Sequence, residues 1–142
     1  MFVNPTAEEI ARVLRQARII AVVGLSADRT RPSHGVARAL QRFGYRIIPV
    51  NPAAESILGE PAVASLEQLG EVLGADERVD LVDVFRRPLH VAAIVSDCIR
   101  LKLPALWLQE GVIDQVAAER AVQAGIFTVM DRCIFKERAA LK

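Results

Sequence analysis

The sequence predicts a doubly wound α/β fold, a five-stranded parallel sheet with helices on both faces, in a single domain. Three observations predict it. Five short apolar runs rich in β-branched residues are bounded by turn residues. These runs are continuous rather than alternating, as strands buried on both faces should be. Helical patterns separate them, which calls for parallel strands joined by right-handed crossovers.

The elements follow in chain order. Thr6-Ala-Glu-Glu9 has the spacing of a capping box, and Ile10, Val13 and Leu14 share one face of a helix over about 6–16. The first strand is Ile19–Val23, followed by a helix over 35–43 that stops at Gly44, and then by a strand at Arg46–Val50. Residues 55–78 give only a short helix near 66–69. A strand at 81–85 leads to a helix over 89–103 that ends before Pro104. Ala105–Leu108 is the next strand, 114–124 a helix ending at Gly125, and 127–130 the last strand. A final helix starts near Cys133. Counted along the chain, the expected strand order is 3-2-1-4-5, with the first loop at the carboxyl edge of the sheet.

Composition limits the function classes. At 142 residues the chain has the size of one domain, 1–142, and can bury roughly 68 to 70% of its unfolded surface. Hydrophobic residues at 52% and charged residues at 25% are far from the composition of a disordered chain. Eighteen basic and 17 acidic residues leave a net charge of +1, no global field for nucleic acid or an anionic membrane. The start MFVNPTAEEIARVL carries neither the basic region nor the apolar run of a signal peptide. The expectation is a cytoplasmic protein with no membrane or nucleic-acid partner. Two cysteines are too few for a disulfide framework or a metal cluster.

In such a fold the ligand sits at the carboxyl ends of the strands, so the segments after each strand matter most. After Val23 comes GLSADRTRPSHG. Its glycines, Gly24 and Gly35, are too far apart for a dinucleotide fingerprint. Pro32 suits a first helical turn, Ser33 can cap it, and the free N–H groups there favour an anion such as a pyrophosphate. Arg29 and Arg31 add positive charge; the plain alternative is a solvated surface loop.

After Val50 comes Asn51-Pro52, where an NAD site would present a carboxylate to the ribose. Glu55 is several residues too late. The pair is either a turn initiator or a neutral neighbour that tolerates an added 3′-phosphate. In Phe85-Arg86-Arg87-Pro88 the aromatic can pack on an adenine and the arginine can pair with a phosphate. Otherwise Phe85 simply ends its strand. In Gln109-Glu110-Gly111-Val112 the glycine either lets a ligand approach the backbone or only turns the chain.

Taken together, VVGLS…RPSHGVA, GYRIIPVNP, the VD-x-VDVFRRP-like segment, WLQEGV and MDRC resemble the small CoA-binding protein family. These are single domains similar to the N-terminal CoA-binding domain of the succinyl-CoA synthetase α subunit. The resemblance runs from about residue 19 to 137. It implies a Rossmann-like CoA-binding fold with both phosphate groups near the first loop and adenosine near the strand ends. Carried over by position, it implies ligand-lining roles for Gly24, Ser26, Arg29, Pro32, Ser33 and His34. Further along it implies the same for Asn51, Pro52, Phe85, Arg86, Gln109 and Gly111. The cofactor it implies is coenzyme A or an acyl-CoA.

A CoA ligase of that kind also needs a phosphorylatable histidine on a second domain and an ATP-binding partner, and the expectation for this chain is that it carries neither domain. His34 lies in the binding loop and His90 on a helix surface. No Ser-His-Asp order, H-E-x-x-H or C-x-x-C signals nucleophilic or metal catalysis. Cys133, at a helix start, is either a buried apolar residue or a thiol poised for a mixed disulfide with CoA. Cys98, spaced with Ile94 and Leu101, belongs to the core. The favoured reading is a non-catalytic CoA or acyl-CoA module: a sensor, a carrier or an accessory subunit for an unidentified partner protein. An NAD(P)- or CoA-dependent enzyme, or an interaction domain with a vestigial pocket, are the alternatives.

Overall fold

The computed structural model describes residues 1–141. Five parallel strands form the central sheet: β1 (Ile19–Val23), β2 (Arg46–Val50), β5 (Leu81–Val84), β6 (Ala105–Leu108) and β7 (Phe127–Val129). A separate antiparallel pair, β3 (Ser56–Ile57) and β4 (Glu60–Pro61), lies between β2 and β5 in the chain. The helices are α1 (Ala7–Gln16), α2 (Pro32–Arg42), α3 (Val91–Arg100), α4 (Gln115–Gln123) and α5 (Ile134–Ala139).

Burial on both sheet faces makes two cores. Ile20, Val22, Leu81 and Trp107 pack against Leu14 of α1, Leu40 of α2 and Ile134 of α5. Ala21, Val82, Val84 and Leu106 pack on the opposite face against Val95 of α3, Ala121 of α4 and Leu66 and Leu69. Residues alternate between the two cores along each strand, the period of two that a sheet imposes. The doubly wound parallel sheet read from the sequence is therefore present.

The strand order differs from the expected 3-2-1-4-5. The sheet runs β2-β1-β5-β6-β7, so the Leu81–Val84 strand pairs with β1 and not outside β2. Pro49 explains why β2 is an edge strand. A proline lacks the N–H that a central strand must donate on one of its sides. Among the described residues, the outer side of β2 is closed only by an isolated bridge, in which Pro49 accepts from the Val63 N–H at 3.0 Å and the Asn51 N–H donates to Val63 at 2.8 Å.

Local differences have local causes. The N-terminal capping box is complete: the Glu9 N–H donates to the Thr6 hydroxyl at 3.2 Å, and the Thr6 N–H donates to the Glu9 carboxylate at 2.9 Å. Helix α2 begins three residues earlier than expected, with Pro32 at its first position. The 66–69 segment is a 3-10 helix over Leu66–Glu71. The helix expected over 89–103 starts as a 3-10 turn, Pro88–His90, before α3. The β3–β4 hairpin turns through Leu58 and Gly59, both at positive φ, a two-residue turn that Leu seldom enters. No helix among the described residues is long and apolar enough to cross a membrane.

Candidate functional site

In the observed order the chain leaves β1 toward β2 through α2, and leaves β5 in the other direction through α3. A doubly wound sheet opens a crevice where its connections diverge, outside the carboxyl ends of the two strands concerned. That point lies between β1 and β5. The loops after both strands meet there around a cavity of about 720 Å³, within the range of small-molecule sites.

Gly24 makes the meeting possible. It sits at φ 84, and a Cβ there would lie 2.3 Å from the Phe85 carbonyl oxygen and 2.9 Å from Cδ of Arg86. Only glycine accepts both the backbone angle and the close approach. The Gly24 N–H donates to Val50 at 3.0 Å, and the Phe85 N–H donates to Val23 at 2.8 Å. The two loops are thus held against each other at the ends of paired strands.

The first loop is shaped by its own side chains. Asp28 accepts from the Thr30 N–H at 2.9 Å and from the Thr30 hydroxyl at 2.7 Å, and these bonds hold its carboxyl below the usual range. Ser33 does not cap α2. The helix starts one residue before it, Arg31 is the cap residue without a side-chain bond, and the Ser33 Oγ accepts from the Ser26 N–H at 3.0 Å. Ser33 is buried. It ties the loop to the helix start instead of satisfying the helix.

The cavity brings together Gly24, Ser26, Arg31, Pro32 and Ser33 from the first loop, Phe85 and Arg86 after β5, and Gln109 and Gly111 after β6. Four residues expected to line a ligand are not in its wall. Arg29 projects from the loop into solvent. His34 is buried, because the early start of α2 turns it inward. Asn51 is used up in a turn: its Nδ2 donates to Leu25 at 2.9 Å and its Oδ1 accepts from the Ala53 N–H at 2.7 Å. Pro52 is exposed beside it. Val36, Arg87, Pro88, Glu110, Val112 and Cys133 also line the cavity. Cys133 is the helix-start thiol weighed from the sequence, and the others are chain neighbours of residues singled out above or one helical turn from them, a signal the sequence carries.

Charge and polarity are unevenly distributed. The side chains of Arg86 and Arg87 make no hydrogen bond or ion pair among the described residues, and that of Arg31 has only a 4.0 Å exposed contact with Asp28. Glu110 is engaged with Lys136 at 3.3 Å. Gln109 is buried, with its Oε1 accepting from the Ile134 N–H at 3.0 Å at the start of α5. The Gly111 N–H donates to Asp131 at 2.8 Å. Trp107, fully buried, donates its indole N–H to Arg132 at 2.8 Å. The β6 end and the segment leading into α5 are therefore one bonded unit.

Fold and cavity define a doubly wound α/β protein whose pocket lies at the carboxyl edge, with unpaired arginines along part of its wall. A family model for the CoA binding domain matches residues 18–139, and the chain belongs to that family. Protein YneT of Bacillus subtilis (strain 168) is 37% identical over 139 residues, 98% of each chain. The structure of cell-free ID.343 from Thermus thermophilus superposes with TM-score 0.84 at 39% identity, covering 95% of this chain and 98% of that one. A dinucleotide forming acetyl-coenzyme A synthetase 1 of Ca. Korarchaeum cryptofilum matches 78% of this chain and 25% of its own, with TM-score 0.64 and 18% identity. That last likeness is one of fold, recurring as a part of a larger chain.

Proposed function

We propose that the protein binds coenzyme A or an acyl-CoA in the cavity between the β1, β5 and β6 loops, as a module that holds the ligand without transforming it. The observation that carries this reading is the pairing, in one cavity, of unpaired Arg86 and Arg87 with the proline-led start of α2 and apolar walls at Val36, Phe85 and Val112. Free N–H groups at a helix start and unpaired guanidinium groups both favour phosphates. CoA carries a pyrophosphate and a 3′-phosphate at one end and a long, weakly polar arm at the other. The family to which the chain belongs supports the same ligand.

The site suits NAD less well. The β2 end offers Asn51, and that side chain is committed to Leu25 and Ala53. No carboxylate stands where a ribose would be read. As a binding module the protein would serve as a sensor, carrier or accessory subunit for a partner protein. Both cysteines are unpaired, which suits the reducing cytoplasm.

Calorimetric titration of the full chain with CoA, NAD and NADP tests the reading. Saturable binding of CoA with no comparable heat from the nicotinamide nucleotides is expected. Preference for either nicotinamide nucleotide would overturn it.

A further inference from the structure

We infer that Cys133 is a thiol-exchange site for the sulfur end of CoA, joined to it in a reversible mixed disulfide when the ligand arrives as a CoA disulfide. The inference rests on the CoA-binding reading above.

Cys133 is 8% exposed and forms part of the cavity wall. It lies after β7 in a segment bonded back to the end of β6, two strands across the sheet from β1. Two strand spacings amount to about 10 Å, a distance the pantetheine arm can cover from a pyrophosphate at α2. The phosphate-favouring groups and the thiol therefore line one cavity.

Gln109 is a second, independent sign of a ligand at that end. Its side chain is 5% exposed and lines the cavity. Its Oε1 is fixed by the Ile134 N–H, one residue beyond Cys133, at 3.0 Å. Among the described residues its amide Nε2 donates to no group, and it is not sealed off from the cavity. A buried amide donor left open toward a cavity fits an amide carbonyl of the pantetheine arm. That contact would bring the terminal sulfur near Cys133.

The exchange balances without a further reagent. The Cys133 thiolate attacks the CoA sulfur of a disulfide CoA–S–S–R, the new S–S bond forms, and the old one breaks. R–S⁻ leaves and takes up the proton that Cys133 gave. Cys133 is oxidised and the R sulfur reduced, and any free thiol reverses the step. Cys98 is an internal control. It is a fully buried residue of α3, and burial pushes its thiol up to about 12.

The test treats the reduced full chain with CoA disulfide or with hydroxyethyl disulfide and follows intact mass and the modified peptide. Titration with CoA runs in parallel on the same protein. Expected is one CoA adduct on Cys133, removed by dithiothreitol and absent in Cys133→Ser and Cys133→Ala. It should form roughly tenfold or more faster than the hydroxyethyl adduct, the gain that prior binding confers, and Cys98→Ser should keep this. CoA binding without an adduct, an adduct on Cys98, or equal rates with both disulfides would overturn the exchange site alone. No CoA binding in the titration would remove the underlying reading and the exchange site with it.

Discussion

Gly24 and Phe85 approach so closely that a single added methyl group on Gly24 would sit 2.3 Å from the Phe85 carbonyl oxygen. The two loops that face the cavity are thus registered by backbone contact, with no side chain in between. Gly24→Ala must strain a positive φ and push the loops apart, a cost of about 2 to 4 kcal/mol. Thermal melts should show a fall in Tm of roughly 5 to 15 °C. An unchanged Tm would mean that the loops separate freely.

Ser33 makes a second, weaker tie. Removing its hydroxyl in Ser33→Ala leaves the Ser26 N–H without the 3.0 Å bond it now has. The expected loss is about 1 to 2 kcal/mol of stability. CoA affinity should fall with it, because the loop order must then come from the ligand. Melts and calorimetry on the same variant check both; binding equal to that of the parent would show that loop order does not limit it.

Among the described residues the Arg86 and Arg87 side chains have no hydrogen-bond or ion-pair partner beside the cavity, so a second phosphate should add affinity. CoA is expected to bind more tightly than dephospho-CoA by about 1.5 to 3 kcal/mol, roughly ten- to a hundredfold, with the lower end favoured by solvent exposure. Arg86→Ala should narrow the difference. Equal affinities for the two ligands would show that no arginine reads the 3′-phosphate.

Much of this arrangement is legible in the sequence, and the illegible parts have physical causes. The strands are readable because residues such as Ile20, Val22, Leu81 and Leu106 are buried whichever face they point to. The loops around the cavity are readable because they follow those strands. The edge position of β2 is legible too, because Pro49 lacks the N–H that a central strand must donate. Asn51 and His34 differ. Whether an asparagine faces a ligand or closes its own turn depends on partners such as Leu25, 26 residues away in the chain. The direction of the His34 side chain follows from a helix start that shifted by three residues.

Asp83 is a further consequence of the pattern. It lies in β5 between Val22 of β1 and Trp107 of β6. Its carboxyl is fully buried, and neither oxygen has a hydrogen-bond partner. Burial pushes its pKa well above the usual carboxylate range, opposed only in part by the nearby Val84 N–H. Folded Asp83 is therefore held neutral, while in the unfolded chain it ionises at the ordinary value. Below that value both states are protonated and the group costs nothing through ionisation. As pH rises through and beyond it, the unfolded state gains, and stability falls by about 1.4 kcal/mol per pH unit until the folded pKa is reached. Asp83→Asn removes this slope, whatever constant cost its amide adds. Melts between pH 4 and 8 should show the variant gaining on the parent as pH rises; parallel curves would mean that Asp83 keeps an ordinary pKa.

Native mass spectrometry of the purified chain, before and after incubation with excess CoA, tests the central claim most directly. Expected is a complex heavier than the bare chain by the mass of one CoA or acyl-CoA, and its loss when Arg86 and Arg87 are both replaced by glutamate. A spectrum that shows only the bare chain at saturating CoA, or a nicotinamide nucleotide in place of CoA, would contradict it.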